Sequence, residues 1–158
     1  KLKENDLSKF KHNIIIHESN LPKGKGWSPI TWQVIAGLKK IPITLFEASD
    51  KIDNGDIYIK SLIQLSGNEL VEDIRKKQFN KNLELMVEFL NLYMKNKLQP
   101  KKQKGISTYY KRRYPEDSKL DINKSIKNQI NLLKTIDDQK YPAFFYYKGK
   151  KFYLKIYK

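Results

Sequence analysis

The sequence predicts an α/β fold with a mixed sheet, followed by a small C-terminal helix and β-hairpin. Three observations carry this. Ile14-Ile15-Ile16 is a continuous apolar run that leads, through a Gly-bearing loop, to a helix start at Ser28-Pro29. Two further β-rich runs flank Asn54-Gly55, a hairpin signal. Apolar residues then recur at steps of three to five across a long helical stretch.

Taken in order, Lys1 to Lys11 is charged, with Leu2, Leu7 and Phe10 at loosely helical spacing, and reads as the tail of a helix. His12 to His17 reads as a strand. Its apolar run lacks alternation, which suggests burial on both faces, as in a parallel sheet. Glu18 to Trp27 is a loop broken by Pro22, Gly24 and Gly26. Ser28 is placed as a hydroxyl N-cap with Pro29 at the first helical position. That helix is expected to reach Ala36 or Leu38, with Trp32, Ile35 and Ala36 on its apolar face.

Ile41 to Ala48 and Ile57 to Leu65 are the next strands, joined by a turn over Asp50 to Asp56. A long helix is expected from Asn68 to Lys97, with Leu70, Ile74, Phe79, Leu83, Met86, Leu90 and Tyr93 on one face, ended by Pro100. A second helix is expected from about Ile122 to Ile136. Phe144 to Tyr147 and Lys151 to Tyr157 flank Lys148-Gly149-Lys150 and read as a terminal hairpin. The chain is divided into residues 1–104, the α/β unit, and residues 105–158, a helix-hairpin extension.

The 158 residues suit one domain with a small appendage. The chain opens on Lys1 and so reads as a fragment or a processed product. No apolar run reaches the roughly 18 residues of a membrane span, and no signal-peptide pattern opens the sequence. A cytoplasmic location follows as the default, with no membrane partner. Cysteine is absent, which excludes disulfides and thiolate metal sites.

The net charge of +15 raises polyanions as partners. Almost all of it is lysine, and the arginines are Arg75, Arg112 and Arg113 alone. Abundant Asn, Ile and Lys together point to compositional bias on a solvated surface. Phosphate and base recognition favour the planar guanidinium.

Two constellations bear on chemistry. His17 ends the first strand, at the kind of sheet edge where ligands gather; a lone histidine there is more often structural. His12 precedes the strand and is given no role. Asp53 and Asp56 flank Asn54-Gly55, which turn chemistry alone explains. The functional reading pairs Asp53 with His17, as acid/base chemistry requires. A phosphate-binding Gly-x-x-x-x-Gly-Lys loop is absent, and two histidines far from any dense carboxylate cluster argue against a zinc site.

His17, Ser19, Leu21, Pro22 and Gly26 fall on an Asn-x-His-x-Ser-Leu-Leu-Pro-x-x-x-Gly segment, and Ile52 to Asp56 on a Leu-Asp-x-Gly-Asp turn. Together, in this order and at this interval, they resemble the methionyl-tRNA formyltransferase and sugar N-formyltransferase superfamily. Tyr109 to Asp121 and Asn131 to Phe152 resemble the region after the catalytic domain in the sugar enzymes. Two departures stand out. The family's N-terminal βαβ region is missing, and Ile15 stands where the family has its catalytic asparagine.

The resemblance implies a partial Rossmann-like formyltransferase fold. It implies transfer of a formyl group from 10-formyltetrahydrofolate to the amine of a nucleotide-linked amino sugar, without a metal. His17 would shuttle the proton and Asp53 would orient it. Asn20 would replace the missing donor; Asn13 shares the strand face but stands about 6.6 Å further along. The pterin would rest on the backbone around Glu47, Ala48, Ser49, Asp50 and Ile52. Lys23, Lys25 and Trp27 would face the acceptor, and a homodimer is compatible with the family. Two alternatives are carried. One is a catalytically inactive relative, suggested by Ile15. The other is a methionyl-tRNA formyltransferase-like or RNA-binding module, suggested by charge and by Tyr109, Tyr110, Arg112, Arg113 and Tyr114, since aromatics among cations can stack on bases.

Overall fold

The structure is a computed structural model that describes residues 7–158. The helix tail expected over Lys1 to Lys11 falls largely outside the described residues. The elements run β1 (Ile14–His17), β2 (Lys25–Gly26), α1 (Pro29–Ile35), β3 (Lys40–Glu47), β4 (Ile57–Gln64), α2 (Val71–Met94), β5 (Tyr109–Tyr110), a 3-10 helix (Pro115–Ser118), α3 (Ile126–Leu133), β6 (Ala143–Tyr147) and β7 (Lys150–Leu154).

The principal sheet has the order β1-β3-β4, and both of its pairings are antiparallel. A parallel ladder joins β2 to β5, and β6 and β7 form an antiparallel hairpin. Parallel and antiparallel pairings therefore coexist, as a mixed architecture requires. Among the described residues β1 pairs with β3, antiparallel, and not in the parallel setting expected for it. Its missing alternation has another cause, because each face meets its own apolar cluster. Ile14 and Ile16 pack against the main core, and Ile15 packs against Leu21, Phe46 and Ile57. Burial on both faces says nothing about the direction of the neighbouring strand.

The main core lies between the sheet and the two helices. Ile41, Ile43 and Leu45 of β3 and Ile59 and Ile63 of β4 meet Ile30 and Val34 of α1 and Ile74, Leu85 and Phe89 of α2. The period-two alternation along β3 puts Thr44 and Phe46 on the opposite face, and both are fully buried.

α1 buries a face other than the one expected, and α2 buries Ile74 of its expected row but otherwise a different set. In α1 the buried residues are Pro29, Ile30, Gln33 and Val34, while Ala36 is exposed. Ser28 takes a left-handed backbone (φ 50°) and makes no side-chain cap. Pro29, with its fixed φ and absent N–H, starts the helix. In α2 the sheet side is Ile74, Leu85 and Phe89. Phe79, Leu83, Met86 and Leu90 are exposed, as are Val87 and Met94. The helix is apolar on two faces, and spacing alone cannot say which of them meets the sheet.

The extension builds a smaller core from Leu120, Leu133, Ile136 and Ala143. Its hairpin turns at Lys148 (φ 47°) and Gly149 (φ 76°), the paired positive φ values of a tight two-residue loop. Arg113 is buried here. It donates to Thr135 O at 2.8 Å and Ser118 Oγ at 3.0 Å, and it stacks on Tyr141.

Candidate active site

The site forms where β1 ends. His17 is 7 % exposed, held by β1 against the centre of β3, where Thr44 is its partner. Its Nε2 lies 2.8 Å from the Gly24 carbonyl. A carbonyl only accepts, so this nitrogen carries the proton and donates. Nδ1 is then the lone-pair nitrogen of the neutral ring, and it has no hydrogen-bond partner among the described residues.

Asp53 arrives from the loop between β3 and β4, with Oδ2 3.7 Å from His17 Nε2. The expected pair therefore meets. The same Oδ2 accepts the Gly26 N–H at 2.8 Å. The loop reaches this position because Gly55 passes directly over β3. A Cβ at residue 55 would lie 1.6 Å from the Glu47 carbonyl oxygen, so only glycine fits. Gln103 then clamps the loop, donating to Asp53 O and Gly55 O at 2.9 Å each.

Gly24-Lys25-Gly26 holds both halves of the pair, and the extension holds this tripeptide in turn. Thr108 Oγ accepts the Gly24 N–H at 2.8 Å, and Thr108 O accepts the Lys25 N–H at 2.9 Å. The Tyr110 ring lies against Gly24, and burial raises its pKa. Thr108, Tyr110 and Gln103 were missed from sequence. Their only signal was proximity to an aromatic, charged segment, which does not reveal its partner.

Lys25 is not where the sequence reading put it. Its side chain is 2 % exposed and its ammonium donates to Asn54 Oδ1 at 2.7 Å. Burial lowers its pKa, and the charge of Asp53 opposes that shift. The parallel ladder with β5 lies along β2, and this lysine is buried. Lys23 and Trp27 stay outside, and Trp27 is 57 % exposed. The Arg112 guanidinium lies 5.3 Å from the centre of the Trp27 ring and 5.8 Å from that of Tyr114.

Asn20 is exposed, and its Oδ1 accepts from Lys60 Nζ at 2.7 Å. Lys60 also donates to Leu21 O, and burial lowers its pKa. The Asn20 amide NH2 has no partner among the described residues. Asn13 is directed elsewhere, donating from Nδ2 to Leu7 O at 2.9 Å. Ile15 fills the apolar cluster with Phe46 and supplies no donor.

Along the proposed pterin segment, Ala48 is buried and donates to Asn13 O. Both oxygens of Glu47 are engaged, Oε1 by Asn13 N–H and Oε2 by Tyr58 at 2.7 Å. Ser49 Oγ donates to Lys51 O. The backbone N–H groups of Asp50 and Ile52 find no partner among the described residues, and the Ile52 side chain is 59 % exposed. Free amides beside an exposed apolar side chain fit a flat heterocycle with acceptor edges.

A buried histidine with one nitrogen fixed on a carbonyl faces a carboxylate beside a glycine-bearing loop, an arrangement chemically able to pass a proton. Residues 2–90 match the family model described as formyl transferase. The chain belongs to the formyl transferase family. It is 31 % identical over 137 residues to the bifunctional polymyxin resistance protein ArnA of Wigglesworthia glossinidia brevipalpis, covering 86 % of this chain and 21 % of that protein. It is 30 % identical over 125 residues to the methionyl-tRNA formyltransferase of Thermodesulfovibrio yellowstonii, covering 78 % of this chain and 41 % of the relative. The chain thus spans less than half the length of these curated relatives. Among solved structures it is similar to a sugar N-formyltransferase from Shewanella, with a TM-score of 0.69 and 19 % identity over 90 % of this chain and 60 % of that one. No described helix is long and apolar enough to cross a membrane.

Proposed function

We propose that the protein is an N-formyltransferase of the cytoplasm, acting on the amine of a nucleotide-linked amino sugar. The observation that carries this is the buried His17–Asp53 pair, 3.7 Å apart, with His17 Nε2 fixed on the Gly24 carbonyl. 10-Formyltetrahydrofolate supplies the formyl group. His17 Nδ1 accepts the proton that the attacking amine must lose, and that proton would pass to the folate nitrogen as its bond to the formyl carbon breaks and tetrahydrofolate leaves. Asp53 stabilises the resulting imidazolium, and the Gly24 carbonyl keeps the ring from rotating. The free NH2 of Asn20 is the side-chain donor available to a developing oxyanion, with Lys60 fixing its other end. The backbone of Ser49 to Ile52 holds the pterin.

Acceptor recognition is assigned to Lys23, Trp27 and Arg112. An exposed indole stacked on a guanidinium suits a base and a phosphate. The aromatic-basic segment does not form one continuous face. Tyr110 packs into the site and Arg113 is buried, which leaves Tyr109, Arg112 and Tyr114 outside. This arrangement favours a small nucleotide over an extended RNA strand.

The test supplies 10-formyltetrahydrofolate with a panel of nucleotide-linked amino sugars and, in parallel, methionyl-tRNA. Formylated sugar supports the proposal. Formylation of methionyl-tRNA alone overturns the substrate, and no product from either favours an inactive relative. Ile15 motivates that second reading, since it fills with hydrocarbon the position where the family has an amide.

A further inference from the structure

Lys25 is the largest fully buried side chain in the described structure. A lysine in that position is rare, because desolvating an ammonium is costly unless a counter-charge and hydrogen bonds replace water. Here the ammonium does not seize the nearest carboxylate. Its hydrogen bond goes to Asn54 Oδ1 at 2.7 Å, and among the described residues the basic side chain within 4 Å of Asp53 is His17.

The geometry divides three tasks over three consecutive residues. The Gly24 carbonyl holds His17, the Gly26 N–H holds Asp53, and the Lys25 side chain holds the residue after Asp53. We propose that Lys25 is a positioning residue for the transfer reaction. Its buried ammonium anchors the Asp53-Asn54 turn and balances the Asp53 charge that faces His17. The role in transfer rests on the function proposed above.

Other charged or titratable groups around His17 are occupied or set back. Glu18 Oε1 accepts from Gln78. Lys60, across β3, is tied to Asn20 and Leu21. Tyr110 contributes a ring contact through Gly24. Asp53 and Lys25 therefore set the local charge. Without the ammonium, Asp53 acts on His17 alone and the imidazolium form gains. With it, the pair Lys25–Asp53 is neutral as a unit.

The chain has two histidines, so the imidazole titrations of His17 and His12 can be followed separately by long-range ¹H–¹⁵N NMR. Lys25→Met is expected to raise the His17 midpoint by about one pH unit, the size of one charge acting across a partly screened site. Lys25→Arg should hold it near wild type, and His12 should not move in either. Asn54→Ala, at an exposed position, covers the case in which Lys25→Met fails to fold. It releases the ammonium onto Asp53 and should lower the His17 midpoint. Midpoints unchanged in every folded variant overturn the proposal. This readout needs no turnover, so an absence of formyl transfer would count against the proposed activity without touching it. In an active protein, the acid limb of kcat/KM should follow the His17 midpoint upward in Lys25→Met; a limb that stays put overturns the catalytic part.

Discussion

Asp53 Oδ2 touches two groups at once, the Gly26 N–H at 2.8 Å and His17 Nε2 at 3.7 Å. The amide fixes the carboxylate, and the carboxylate faces the ring. Asp53→Asn keeps a side-chain oxygen for Gly26 and removes the charge that stabilises imidazolium. Formyl transfer should fall by roughly 10²–10⁴-fold. His17→Ala should fall at least as far. Steady-state rates with a nucleotide-linked amino sugar check both, with an unchanged circular dichroism spectrum showing that the fold is intact.

The loop that delivers Asp53 depends on one missing atom. Gly55→Ala drives a Cβ into the Glu47 carbonyl, and backbone cannot yield as a flexible side chain can. A loss of about 3 kcal/mol is expected, at the upper end of overpacking effects. Gly149→Ala meets nothing within 4 Å and bears only the strain of φ +76°, about 1 kcal/mol. Urea unfolding of the two variants should give clearly different midpoints.

Helix α2 offers a direct test of its two apolar faces. Leu85 is 1 % exposed and Leu90 is 52 % exposed. Leu85→Ala should cost about 2–5 kcal/mol. Leu90→Ala should stay within roughly 0.5 kcal/mol. Equal losses in thermal unfolding would show that the sheet meets the other face.

These two helices also show where sequence reading stops. The helices, the strands β1, β3 and β4, both hairpins, and the meeting of His17 with Asp53 were legible, because each is written in local pattern or in a motif pair; the short strands β2 and β5 were not. The buried faces of α1 and α2 were not, since Leu83, Met86 and Leu90 keep helical spacing as well as Leu85 and Phe89 do. Lys25 was read as a surface cation because charge normally implies exposure. Its burial follows from the β2–β5 ladder, a contact between distant segments that leaves no periodic trace.

Acid should loosen the joint between α2 and the extension. Asp137 has its pKa lowered to about 2, first by a hydrogen bond from Arg75 and then by the Lys140 N–H. The folded value lies below that of the unfolded chain, so its contribution is complete above about pH 4 and is lost as pH falls through 2. Half of Arg75 is solvated, and after screening the effect is about 1 kcal/mol. Asp137→Asn should therefore lose less stability than wild type between pH 5 and pH 2, read by denaturant titration at each pH.

Trp27 and Arg112 should govern the acceptor and leave the folate alone. Trp27→Ala and Arg112→Ala are each expected to raise the acceptor KM about tenfold, as loss of one stacking or charge-assisted contact would. The KM for 10-formyltetrahydrofolate should stay unchanged. A drop in kcat with constant acceptor KM would place these residues elsewhere in the reaction.

The hydrogen bond from Gly24 to Thr108 spans 84 residues of sequence. A nascent chain therefore exposes His17, and then Asp53, long before the strand that secures their loop has been synthesised. Through that interval the histidine has its strand but not its clasp. The clasp on the first strand therefore comes from a segment that forms no part of the main sheet, and its docking can follow but never precede synthesis of both partners.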